Sequence, residues 1–262
     1  MSLPVASTLA ALRRRLAALE AAHPSFAQTR SDGPDGGPLR FCTGVSLGSA
    51  SIPAALHEVA AVRESEMASA TGFVLPLAAW AARERATLWI AEEMALAESG
   101  ALYGPALETF DLQPERLVRI TVAHERDVLW AMEEALRCRS VGAVIGEIRG
   151  RSRGIDFTTS RRLSLAAQRD SAAAFLLRAT PSGEPLAADT RWIAGTAPSS
   201  LRAHGPGPPR FDVRLTRNRR GSLGSWVLEW NSADQRFDVA TADRLPLAEA
   251  DVSRPPRAAA SP

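Results

Sequence analysis

Five short apolar runs constrain this chain more than any other feature. They fall at residues 55–61, 87–91, 117–123, 141–148 and 172–177, and none alternates apolar with polar. A strand solvated on one face alternates; an unbroken run suits a strand covered on both faces, as in a parallel sheet. The segments between two pairs of runs have helical character. Residues 70–83 are one, and residues 126–138 another, in which Val128, Leu129, Met132, Ala135 and Leu136 share a face. Strands alternating with helices predict βαβ units around a mostly parallel central sheet. After residue 180 the pattern changes. Residues 190–197 read as a strand, and 198–209 as a Pro/Gly-rich loop. Phe211, Val213 and Leu215 then alternate with Asp212, Arg214 and Thr216, and Trp226, Leu228 and Trp230 with Val227 and Glu229. With the turn-rich tip at 217–224, this predicts a C-terminal antiparallel hairpin.

The chain has 262 residues, 45% of them hydrophobic, enough for one substantial α/β core. Residues 1–24 are expected to form an N-terminal helix, with Leu9, Leu12, Leu16 and Leu19 on one stripe and Pro24 as its stop. The stripe fits either packing on its own domain or docking on a partner. Residues 25–40 read as a linker, 41–232 as the main domain, and 233–262 as a poorly ordered tail. Trp89, Trp130, Trp226 and Trp230 are assigned to the core; Trp80 and Trp192 are open, and an exposed one would be a contact hot spot. Cys42 and Cys138 stand far apart, and His23, His57, His124 and His204 are scattered, so neither a disulfide scaffold nor a metal site is expected. There is no apolar run of 18 residues and no signal-peptide pattern, which points to the cytoplasm and away from membranes.

All 31 basic residues are arginine. A phosphate-cradling loop after the first core strand needs glycines, a lysine on the β- and γ-phosphates, and a Ser/Thr on magnesium. Here the residues after that strand run Val62-Arg63-Glu64-Ser65-Glu66-Met67-Ala68-Ser69, and no glycine occurs between Gly48 and Gly72. Glu64 and Glu66 would repel a triphosphate by about 1 kcal/mol per exposed contact. ATP hydrolysis by this loop is therefore not expected, and no cofactor is assigned.

The phrases LWIAEEMALAESGALYGPALETFDLQPERLV (88–118), LWAMEEALRC (129–138), VGAVIGEI (141–148), TTSRRLSLAAQ (158–168), TRW (190–192) and GSWVLEW (224–230) resemble, in order and spacing, the ImuA family of RecA- and SulA-like SOS mutagenesis proteins. The resemblance covers about residues 40–232 and implies a RecA-like core without a functional P-loop. Glu93 falls where RecA keeps its water-activating glutamate, Glu147 where it keeps the Walker B acid, and Arg178 near its phosphate-sensing glutamine. Without the loop lysine the three do not make a phosphoryl-transfer site. Glu93 and Glu147 are open to three readings: structural acids, a residual nucleotide or metal pocket, or partner contacts.

Arg149, Arg151, Arg153, Arg161 and Arg162 follow the strand ending at 148, where RecA has a DNA-facing loop. They suit a solvated face, docking on an acidic protein surface, or phosphate contacts; the lack of interleaved aromatics lowers the case for single-stranded DNA. Arg217, Arg219 and Arg220 at the hairpin tip are open in the same way. The resemblance implies a non-enzymatic adaptor of translesion synthesis. Its implied partners are an ImuB-like Y-family polymerase homologue, the C-family error-prone polymerase ImuC, and RecA. The alternatives are a SulA-like inhibitor of cell division and an atypical nucleotide-binding protein.

Overall fold

The computed structural model describes residues 5–22, 52–149, 154–202 and 205–240. The elements follow in the order α1 (Val5–Ala22), β1 (Leu56–Ala61), α2 (Met67–Ala82), β2 (Ala86–Glu92), α3 (Glu93–Ser99), α4 (Gly104–Thr109), β3 (Leu117–Val122), α5 (Glu125–Leu136), β4 (Val141–Ile148), α6 (Phe157–Arg169), β5 (Ala173–Arg178) and β6 (Thr190–Ala197). A two-stranded pair, β7 (Leu201–Arg202) and β8 (Gly205–Pro206), precedes β9 (Arg210–Asn218), β10 (Gly224–Asn231) and β11 (Arg236–Val239).

Nine strands make one sheet in the order β11-β10-β9-β6-β1-β5-β4-β2-β3. The six from β6 to β3 are parallel; β9, β10 and β11 are antiparallel. The mostly parallel core with a helix before it and antiparallel strands after it is the fold class expected. The five apolar runs are β1 to β5, and the central β1, β4 and β5 are buried along their whole length because helices cover both faces. β3, at the sheet edge, is the most exposed of the five.

On one face lies α2, buried at nearly every position between the sheet and the aromatics of the C-terminal strands. Phe73 packs against Trp192 and Phe237, and Trp80 against Trp230 and Phe237. Trp80 and Trp192 are thus core residues. Trp226 and Trp130 are partly buried at the margins of the two core clusters. β11 lies inside the 233–262 segment expected as a poorly ordered tail. Its Phe237 pairs with Trp230 in register and is fully buried, so residues 236–239 belong to the core instead.

On the other face α5 and α6 pack side by side, with α1 against α5. Leu12 and Leu16 are 3% and 7% exposed within this cluster. Arg13 is ion-paired to Glu134 of α5 at 2.8 Å. Leu12 and Leu16 of the stripe are therefore packed within the chain's own domain, the first of the two readings given for it. Leu9 and Leu19 lie on the same helix, but their side chains fall outside the described residues.

Candidate functional site

A cavity of about 410 Å³ opens beside the N-terminus of α2, over the carboxyl ends of β2 and β4. In parallel sheets this edge is the usual place for a ligand. Trp89 and Ala91 of β2 and Glu147 of β4 line it, as do Glu64, Ser65, Met67, Ala68 and Thr71 around the start of α2. Arg119 of β3, Arg149, Glu98 and residues 100–102 complete the wall.

Three of the charges in this wall, Glu147, Arg149 and Glu98, are committed to one another. Glu147 accepts the Trp89 indole N–H at 3.1 Å and is ion-paired to Arg149 Nε at 3.4 Å. Arg149 also reaches Glu98 at 3.3 Å, and its side chain is buried. It is thus a structural bridge between β4 and α3. With Glu64, Glu98 and Glu147 against Arg119 and Arg149, the wall carries more acid than base.

The loop after β1 closes the same way. β6 runs past the end of β1, leaving backbone N–H groups without a strand partner. Glu66 fills that gap: its carboxylate accepts the Thr196 N–H at 2.8 Å and pairs with Arg63. These bonds hold the Glu66 carboxyl below its usual range, the Thr196 N–H most of all. Ser69 Oγ meets Thr196 Oγ1 at 2.9 Å. Carboxylates at a helix N-terminus are favoured by the helix dipole, so Glu64 and Glu66 supply the negative charge that a phosphate would bring.

Of the three residues assigned to a degenerate nucleotide site, only Glu147 lines the cavity. Glu93 is exposed at the first turn of α3 and does not line it. Arg178 lies on the opposite face of the sheet. It pairs in register with Ile148, which faces α5 and α6, whereas Glu147 pairs with Leu177, which faces α2. Arg178 is buried there, 3.9 Å from Glu58 of β1, and Arg191 of β6 holds the other Glu58 oxygen in a short bond. The three assigned residues are therefore not one site.

Of the remaining arginines, Arg162 is exposed and ion-paired to Glu133 of α5, and Arg161 is exposed. Arg151 and Arg153 lie outside the described residues. At the hairpin tip, Arg220 and Arg219 reach the buried Asp189 at 3.0 and 3.9 Å, and Arg217 donates to the Leu186 carbonyl at 3.0 Å. They tie down the connection before β6.

Two features were missed from sequence. One is the Glu58 charge cluster, whose signal was a single acid inside an apolar run. The other is Glu92, at the end of β2, whose carboxyl is pushed up by burial first and then by the neighbouring Glu125. Among the described residues, no group of three His, Cys, Asp or Glu could hold a metal, and no helix is long and apolar enough to cross a membrane.

The chain is similar to Protein ImuA of Caulobacter vibrioides strain NA1000 / CB15N, 29% identical over 160 residues. That stretch is 56% of this chain and 62% of the relative. Protein ImuA of strain ATCC 19089 / CIP 103742 / CB 15 matches to the same extent. The match spans less than two thirds of the relatives' length; it supports membership of the ImuA family. No family model matches the chain. Among solved structures, the crystal structure of the RadB recombinase aligns with a TM-score of 0.48 and 12% identity, over 73% of this chain and 93% of that one.

Proposed function

We propose that the protein is a non-enzymatic accessory protein of bacterial SOS mutagenesis. It acts through contacts with an ImuB-like protein, an ImuC-like polymerase and RecA, and has no ATPase cycle of its own. The likeness to Protein ImuA supports the SOS role. What carries the non-enzymatic part is the state of the cavity beside α2. Its buried cation Arg149 is shared between Glu147 and Glu98, and Glu66 occupies the backbone N–H at the end of β6. Phosphoryl transfer needs uncommitted positive charge around the γ-phosphate. This chain has no lysine, and it places carboxylates there instead.

Two measurements on the purified protein test this reading. In the first, a fluorescent ATP analogue is titrated with and without magnesium. No saturable binding is expected; binding that weakens in Glu147→Ala would replace the reading with an atypical nucleotide site. In the second, the chain is immobilised and offered the ImuB-like protein and RecA of the same organism. Binding to at least one is expected, and binding to neither, together with filamentous cells on overproduction, would favour a division inhibitor.

A further inference from the structure

α6 presents an outward face that is left exposed among the described residues. Ser160, Leu163, Ser164 and Ala167 turn inward. Phe157, Arg161 and Leu165 follow one another at four-residue spacing and therefore share the outer side. Phe157 is 48% exposed and Leu165 55%. Single exposed apolar residues are ordinary on a protein surface, but here two large ones lie on one helix face with a guanidinium between them. The charge is equally one-sided. The helix FTTSRRLSLAAQR contains three arginines and no acid. Arg162 is ion-paired to Glu133, which it shares with Arg137, whereas Arg161 and Arg169 have no ion pair among the described residues.

The face has fixed flanks. Arg162 joins α6 to α5 on one side, and Ser160 Oγ accepts the Ala187 N–H at 3.0 Å on the other. The Asp156 carboxylate caps the helix by accepting the Thr159 N–H at 2.7 Å. The ridge is therefore held in place before any partner arrives, which lowers the entropy that docking must overcome.

We propose that this ridge docks an acidic amphipathic segment of a protein partner. Apolar side chains of that segment cover Phe157 and Leu165, and its carboxylates meet Arg161 and Arg169. A nucleic-acid backbone would meet the arginines but would leave both apolar side chains in water, so protein is the better match. The proposal deepens the adaptor reading above and rests on it.

The test uses the full chain in three surface variants: Phe157→Ser with Leu165→Ser, Arg161→Glu, and Arg14→Glu on the exposed side of α1 as a control. Thermal melts confirm that each is folded. Binding to the ImuB-like protein and to RecA is measured at low and high salt, with a single-stranded oligonucleotide as a separate probe. The apolar pair and Arg161→Glu should each weaken binding to one of the two proteins by about tenfold or more. The control should bind like the parent, and Arg161→Glu should also flatten the salt dependence. If the parent binds a protein and neither α6 variant weakens it, the ridge is wrong while the adaptor reading stands. If the parent binds neither protein, both fall. Oligonucleotide binding lost in Arg161→Glu but kept in the apolar pair, with no protein contact, would overturn the ridge in favour of nucleic acid.

Discussion

Glu58 lies in the middle of β1 and is shut between Arg191 and Arg178, with no exposure to solvent. Burial, the largest influence, pushes its carboxyl up, against the pull of the two guanidiniums. Removing one member of such a cluster leaves charge buried without compensation, which costs about 3–5 kcal/mol. Glu58→Ala should lose stability of that order in urea unfolding; a loss near that of an exposed carboxylate would mean that the cluster is open to water. The same cluster explains what the sequence could and could not say about the site. The positions of Glu147 and Arg178 at strand ends were legible from the apolar runs before them. The face each side chain takes was not, because it depends on the register between β4 and β5. A shift of one residue separates a cavity-lining acid from a core arginine on the far side of the sheet.

Strands β1 to β6, the β9–β10 hairpin and helices α1, α2 and α5 were legible because a strand and a helix each leave a periodic or apolar trace; β11 and the short helices α3 and α4 left none. Packing partners leave no such trace. Gly142 sits where β4 bulges against β2, and a Cβ there would come within 2.6 Å of the Ala82 Cα in α2. Gly146 faces α5, and a Cβ there would run into Met132 Sδ. Gly146→Ala should therefore overpack a fully buried contact and cost about 1–3 kcal/mol; a neutral result in thermal unfolding would mean that Met132 can move aside. For α1, the leucine stripe signalled burial without naming the surface beneath it. That surface includes Cys138, whose thiol donates weakly to the Leu16 carbonyl at 3.9 Å. Leu12→Ala with Leu16→Ala, in a Cys42→Ser background, should loosen α1 and expose this thiol. Modification by a thiol reagent should then run at least several times faster than in the background protein. An unchanged rate would mean that α1 does not shield α5.

Across the whole molecule, buried and hydrogen-bonded titratable groups set how stability depends on pH. His57 is buried, with Nε2 3.0 Å from the Pro53 carbonyl and Nδ1 2.8 Å from Thr190 Oγ1. A carbonyl can only accept, so Nε2 carries the proton and Nδ1 accepts from Thr190, which in turn accepts the Trp192 indole N–H at 3.0 Å. Burial lowers the His57 pKa from its usual 6.5, opposed by the Pro53 bond and by Asp189. The unfolded chain therefore binds a proton near pH 6.5 that the folded chain refuses. The resulting stability is complete above 6.5 and declines as pH falls towards the lowered folded value. Glu66 and Asp156, both lowered by backbone N–H bonds, extend the loss further into acid: their contributions are present above the ordinary carboxylate values of 4.5 and 3.8 and vanish below their folded ones. Glu58, Glu92 and Asp111 act in the opposite sense, since a raised value makes each contribution shrink as pH rises through that value. The histidine contribution therefore falls on acidification from near pH 6.5 and the two lowered carboxylates add to that loss further into acid, while the three raised carboxylates work against it. The histidine's share is read from urea midpoints measured from pH 8 to pH 4 in the parent and in His57→Gln. The midpoint should drop less between pH 7 and 5 in His57→Gln than in the parent, whatever its absolute stability, because the buried imidazole that refuses a proton has been removed. An unchanged slope would mean that the imidazole is protonated inside the fold and that the chain from Trp192 through Thr190 to Pro53 runs in another sense.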